Sequence, residues 1–219
     1  MDTPKRGPGA EHEQRRQQIA DAVLAVTAEH GLAAVTQTSV AARAGVSPGR
    51  VQHYFPAKRQ MIEAAFDRAN ALSSARIASA TGTGASPRRV LTTVLTELIP
   101  YDTATRVHMR VRQAFTALAL SDEDIAERMR REYARFHGQV ADLLPGGADR
   151  RDRAVALVAL AEGLAYYVLV GVDSAAAARE RVLAAIAAAH GEAQEPVGSA
   201  ASVPRRDSDS ADREPGSAR

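Results

Sequence analysis

Apolar side chains recur at helical spacing along most of this chain. Ile19, Val23, Val26 and Thr27 fall on one face of a helix predicted over about residues 11–30 and ended by Gly31. Short helices are predicted at about 37–44 and 48–54, and a longer one at about 57–79, after which Gly82, Gly84 and Pro87 mark a break. Val90, Leu91, Val94, Leu95 and Leu98 form a stripe of period 3.6 that stops at Pro100, and Val107, Val111, Ala114, Phe115 and Leu118 form another. Ser121 is placed to cap the next helix, with Asp122, Glu123 and Asp124 at its positive end. That helix carries Ile125, Met129, Tyr133, Phe136, Val140 and Leu144 and stops at Pro145-Gly146-Gly147. Two last helices are predicted at about 149–170 and 174–189, and no alternating strand pattern exceeds four residues. The expected fold is all-α, with about nine helices joined by short connections.

The two ends differ from this middle. Residues 1–10 read as a flexible arm, and residues 191–219 are rich in Gly, Ser, Pro, Asp and Arg with almost no large apolar groups. Such a tail cannot bury enough surface to offset its ordering entropy and is predicted to be disordered.

Composition narrows the class. Of 219 residues 45% are hydrophobic but only 4% aromatic, so Ala, Leu and Val build the core, which suits close-packed helices. There is no Cys, which excludes a disulfide framework and thiolate metal sites and makes a cytoplasmic protein the expectation. A net charge of +2 means that any nucleic-acid binding must come from a local patch. The basic residues are 26 Arg and two Lys, Lys5 and Lys58, a bias that with the Ala richness reads as a GC-rich genome. Residues 1–18 have no apolar run that would make a signal peptide. The most apolar stretch, 154–172, is interrupted by Glu162, so no membrane span is expected.

The informative segment is TQTSVAARAGVSPGRVQHYFPAKRQM, residues 36–61. Thr36 is suited to N-cap a short helix whose inner face is Val40, Ala41 and Ala44, and small Ala41 lets a second helix cross closely. Gly45 suits the left-handed residue that ends this helix. Val46 plugs the turn, Ser47 caps the second helix and Pro48 takes its first position, where proline costs nothing. Val51 and Phe55 point back to the core. Two short helices joined by a tight glycine turn make a helix-turn-helix. The second helix enters a major groove with its N-terminal residues foremost, and Arg50, Gln52, His53 and Tyr54 face outward. Gly49 lets the backbone approach the duplex, and Lys58 and Arg59 open the next helix, where free N–H groups and positive side chains suit a phosphate. The candidate DNA contacts are Thr36, Gln37, Thr38, Ser47, Pro48, Gly49, Arg50, Gln52, His53, Tyr54 and Lys58.

At these residues the chain resembles the N-terminal domain of TetR-family repressors, whose pattern runs roughly T-x-x-x-I-A-x-x-A-G-V-S-x-G-x-x-Y-x-[HY]-F-x-x-K. The matches are Thr36, Val40-Ala41, Ala44-Gly45-Val46-Ser47, Gly49, Tyr54-Phe55 and Lys58. Gln52 stands where the family usually has an aromatic and Arg59 where an acidic residue is common. The wording V-Q-H-Y-F resembles the subgroup with a BetI-like C-terminal domain. The resemblance implies an N-terminal three-helix domain (11–56), then a larger helical effector-binding and dimerisation domain (57–190). It implies a sequence-specific regulator of transcription, most simply a repressor released from a palindromic double-stranded DNA operator by a small-molecule effector.

The helices at 149–189 support the dimer expectation. Val155, Leu157, Val158, Leu160, Leu164 and Tyr167 wrap more than one face of the first, with Gly163 permitting close approach, and the second carries Val182, Leu183 and Ile186. One face serves the monomer core and the other a second copy, as the resemblance implies. A ligand cavity is implied as well, with candidate lining residues Arg106, His108, Arg112, Phe115, Tyr133, His137, Glu162 and Tyr166, and with Tyr167 beside them. No cofactor or metal is expected, since the six His form no H-x-x-x-H or H-E-x-x-H pair and no G-x-S-x-G or phosphate-binding loop occurs. That argues against an enzyme. An architectural DNA binder without a ligand would show the same N-terminal motif and stays open at this point.

Overall fold

The computed structural model describes residues 8–191, and all regular structure among them is helical. The order is α1 (Pro8–His30), a 3₁₀ turn (Leu32–Ala34), α2 (Gln37–Ala44), α3 (Pro48–Tyr54), α4 (Lys58–Thr81), α5 (Pro87–Glu97), α6 (Thr103–Ala119), α7 (Glu123–Asp142), α8 (Arg150–Val170) and α9 (Ala175–Ala189). Helix α1 opens at Pro8, three residues inside the segment expected to be an arm. The rest of that arm, and the tail from residue 192, lie outside the described residues.

Local chemistry sets the boundaries. Thr36 Oγ1 accepts from the Ser39 N–H and the Ser39 hydroxyl accepts from the Thr36 N–H, both at 3.0 Å, so each end of the first turn of α2 is satisfied. Gly45 follows α2 at φ 65°, a left-handed conformation that a side chain would strain. Pro87 is not part of the break expected there. It is the first residue of α5, and Ser86 caps that helix by accepting from the Arg89 N–H. Helix α7 is capped by Asp122, which accepts from the Ile125 N–H at 3.2 Å, whereas Ser121 donates back to the Leu118 carbonyl. The expected cap is thus one residue early, because a carboxylate at this position adds charge complementarity to the same hydrogen bond.

Two apolar cores result. The first gathers Ile19 and Val23 of α1, Val40 of α2, Val51 of α3, Met61 and Phe66 of α4, Phe115 of α6 and Ile125 of α7. The chain expected to form a separate N-terminal domain therefore shares its core with α4, α6 and α7. Within it Phe66 and Phe115 stack with centroids 4.1 Å apart, worth about 0.5–1.5 kcal/mol beyond their burial. The second core joins Leu91 and Leu95 of α5, Met109 of α6, Val140 of α7 and the inner faces of α8 and α9. By length and composition α8 is apolar enough to cross a membrane, despite Glu162. Its inner face, with Ala154, Leu157, Val158, Ala161, Leu164 and Val168, is packed in this core, while Val155, Leu160, Tyr166, Tyr167 and Val170 remain exposed.

Candidate nucleic-acid interface and ligand cavity

Helices α2 and α3 form the predicted helix-turn-helix. Val51 is fully buried and Phe55 nearly so, which fixes the roll of α3 and turns Arg50, Gln52 and His53 outward. Ser47 spends its hydroxyl on capping, accepting from the Arg50 N–H at 3.2 Å. Ser47, Arg50, His53 and Tyr54 line one shallow depression. Pro48, Gly49, Thr36 and Thr38 are exposed, and a Cβ built on Gly49 would meet open space.

Several of the expected contacts have structural work of their own. Gln37 donates to the Phe55 and Pro56 carbonyls at 3.4 and 3.1 Å, tying α2 to the end of α3. Tyr54 is half-buried against the core, with its ring 4.7 Å from His12 and 5.3 Å from His53. Lys58 is exposed and donates to the Leu32 carbonyl at 3.3 Å. Arg59 does not join it at a phosphate position. Its guanidinium bonds Glu63 at 2.8 Å and is ion-paired with Asp122, so carboxylates already neutralise it.

The electrostatic signal is broader than single residues. Residues 30–62 contain no Asp or Glu, while Arg43, Arg50, Lys58 and Arg59 lie among them. Arg43 pairs with Glu29 at 2.9 Å, but Arg50 makes no ion pair among the described residues. The exposed face of α3 therefore presents a free guanidinium with no carboxylate on the helix, which suits contact with a polyanion.

A cavity of about 440 Å³ lies between α4, α5, α6 and α7. Of the expected lining residues, His108, Arg112 and Tyr133 reach it. His137 and Glu162 instead line an open groove on the far side of Tyr133, beside Val155 and Ala159 of α8. Phe115 is stacked in the first core, Arg106 lines neither space, and Tyr166 and Tyr167 are half exposed on the outer side of α8. Helix α4 contributes Phe66, Asn70, Ser73 and Ser74, which the sequence did not single out. Small polar residues at i, i+3 and i+4 on a long helix were the available signal, and they read equally well as a solvated face.

The cavity's polar groups are held in pairs. Arg112 Nη2 lies 2.5 Å from Glu162 Oε1, and Tyr133 donates to Glu162 Oε2 at 2.6 Å. Burial works against the charge of Arg112, yet Glu162 and Tyr133 outweigh it and hold the guanidinium above its ordinary value. Burial and the Glu162 carboxylate push the Tyr133 phenol up to about 12, so it stays a donor. His108 Nε2 is 2.9 Å from Asn70 Oδ1. Burial first, then the positive charges of Arg112 and Arg76, push its imidazole down to about 4, and it is neutral near pH 7. Among the described residues no group of His, Cys, Asp or Glu is arranged to hold a metal ion.

Comparison with known proteins assigns this architecture. Residues 19–65 match the model of the tetR family of bacterial regulatory proteins, and residues 87–191 match the C-terminal domain of BetI-type transcriptional repressors. The chain belongs to the TetR family. It is 30% identical over 167 residues to the HTH-type transcriptional regulator PksA of Bacillus subtilis, covering 73% of this chain and 80% of that one. A transcriptional regulator from Rhodococcus sp. Rha1 superposes with a TM-score of 0.66 at 29% identity, over 80% of this chain and 94% of its own. A regulator from Saccharomonospora viridis, solved in complex with choline, shares the TetR fold at 22% identity and a TM-score of 0.68, over 78% and 95% of the two chains. As a TetR-family protein this chain is a DNA-binding transcriptional regulator and not an enzyme.

Proposed function

We propose that the protein is a homodimeric repressor that reads a palindromic operator through α3 of each subunit and leaves it when a small molecule fills the cavity. The observation that carries this reading is the exposed, acid-free face of α3, with Arg50 unpaired. Arg50 and Gln52 contact base edges, Arg to guanine and Gln to adenine, and Lys58 and the free N–H groups at the start of α4 hold a phosphate. The reading places the chain with its DNA, in the cytoplasm.

A second copy fits the outer face of α8. Val155, Leu160, Tyr166, Tyr167 and Val170 are exposed there, and a Cβ at Gly163 would meet open space. Contiguous exposed apolar side chains on a long helix mark an interaction surface. A two-fold axis at this face presents two reading helices to two half-sites. Ligand release follows if the occupied cavity favours a different placement of α4, which begins beside the reader and walls the cavity. Domain limits of 11–56 and 57–190 describe this division of labour, even though the first core spans both.

Selection of binding sites from a random duplex library, at stated salt, tests the reading. A palindrome whose half-sites lie about one helical turn apart is the expected result. Binding that follows salt alone, with no enriched sequence, would replace it with the architectural alternative.

A further inference from the structure

The charges inside the cavity are matched. The one carboxylate that lines it, Glu132, is partly exposed and ion-paired with the exposed Arg135. Arg112 is paired with Glu162, and burial keeps His108 neutral. An ionic ligand in the interior would have to break the buried Arg112–Glu162 pair or lose its own hydration without compensation.

The aromatic rings are committed too. The Arg112 guanidinium lies 5.1 Å from the Tyr133 ring centroid and 6.0 Å from that of Phe136. Arg128 lies 5.9 Å from the Phe66 centroid. These are the rings that would hold an ammonium ion by their negative faces, and each already has a fixed cation within cation–π range. A second positive charge there meets repulsion from the first. What the cavity still offers is an apolar wall, with Ile77, Val94, Leu98, Met129 and Val140, two serine hydroxyls, Ser73 and Ser74, and two amides, the exposed Gln139 and Asn70, of which Asn70 is the one fixed by a partner inside the cavity. Asn70 uses its Oδ1 on His108 Nε2, and its amide nitrogen has no protein partner among the described residues, so two N–H donors face an incoming acceptor.

Resting on the reading of this space as the effector site, we propose that the ligand is a neutral, mainly apolar ring compound carrying a hydrogen-bond acceptor, such as a carbonyl oxygen, that takes the Asn70 amide. Small quaternary ammonium ions are excluded. This separates the chain from the neighbour solved with choline, with which it shares only the fold. A volume of about 440 Å³ is in the usual range for a site of this kind. His108, in the tautomer that carries its proton on Nε2, acts as a positioning residue by fixing which end of the Asn70 amide faces inward.

Calorimetric titration of the full-length protein with matched probes tests the proposal. The probes are 2-acetylnaphthalene, 2-ethylnaphthalene, (2-naphthylmethyl)trimethylammonium and choline. The ketone is expected to bind at least tenfold more tightly than the hydrocarbon and than either cation. Asn70→Leu is expected to bring the ketone down to the hydrocarbon's affinity, and if that variant does not fold the ranking on the unaltered protein decides. Equal binding of ketone and hydrocarbon, tighter binding of either cation, or no saturable binding of the ketone overturns the proposal. Operator selection is scored without any ligand, so either reading fails independently of the other.

Discussion

Arg59, the second residue of α4, is ion-paired with Asp122, the residue that caps α7. The same guanidinium bonds Glu63 one turn along its own helix at 2.8 Å. Helix α4 begins directly after the reading helix, and α7 carries Met129, Tyr133 and Phe136 of the cavity wall. The pair thus ties the base of the reader to an element of the cavity wall, and on the proposed mechanism it holds α4 in the arrangement that binds the operator.

Asp122 has two jobs that substitution separates. Asn caps a helix as well as Asp does, so Asp122→Asn keeps the hydrogen bond to the Ile125 N–H but removes the charge facing Arg59. Operator affinity is expected to fall severalfold while the urea midpoint stays near that of the parent. Asp122→Ala loses the cap as well, and costs about 1 kcal/mol of stability. Unchanged operator affinity in both variants would remove the coupling role from this pair.

Glu162, on the wall of the open groove, holds two partners at once, and the Arg112 guanidinium it pairs with is nearly buried. Glu162→Ala leaves the Arg112 guanidinium buried without a carboxylate, and about 3–5 kcal/mol of destabilisation is expected from urea unfolding. Replacing both residues together, Arg112→Met with Glu162→Leu, is expected to cost much less, because no uncompensated charge remains. A double variant as unstable as the single one would contradict this.

His108 gives the protein an acid-sensitive component. Its folded value, about 4, lies below the ordinary 6.5, so between these limits the unfolded chain takes up a proton that the folded one refuses. Stability therefore falls as pH drops through this window, by up to about 3 kcal/mol. The groups around the ring are Asn70, Arg112 and Arg76. Unfolding titrations from pH 7 to 4.5 are expected to show the loss, and His108→Gln is expected to flatten it. Parallel pH profiles for the two proteins would refute the assignment.

Gly163 lies on the outer side of α8 with open space where a side chain would be, so Gly163→Arg leaves the subunit's own packing intact. Sedimentation is expected to show a monomer with unchanged helix content. Operator affinity is expected to fall by about a hundredfold or more, since the second half-site no longer binds intramolecularly. A variant that remains dimeric would move the interface to another face.

The helices and the reader were legible because their signals are local. Thr36, Gly45, Ser47 and Pro48 act through their own backbone neighbours, and the sequence shows which neighbours those are. The cap of α7 was nearly legible, since Ser121 and Asp122 are both capping types and only geometry chooses between them. The cavity was legible only in part. His108, Arg112 and Tyr133 reach it, but Phe115 stacks on Phe66 instead, and Glu162 meets Arg112 from the side of the open groove. Those choices depend on how α4, α6, α7 and α8 cross, which helical periodicity does not encode. The roles of Asn70 and Arg59 were hidden for the same reason, because their partners are 38 and 63 residues away in the chain.

The most direct test of α3 as the reader is the affinity of the parent, Arg50→Ala and Lys58→Ala for the selected operator and for random duplex at one salt concentration. Arg50→Ala is expected to lose about 1–3 kcal/mol on the operator and much less on random DNA, while Lys58→Ala weakens both alike. Equal losses for Arg50→Ala on the two duplexes would show that this residue holds phosphate and does not read bases.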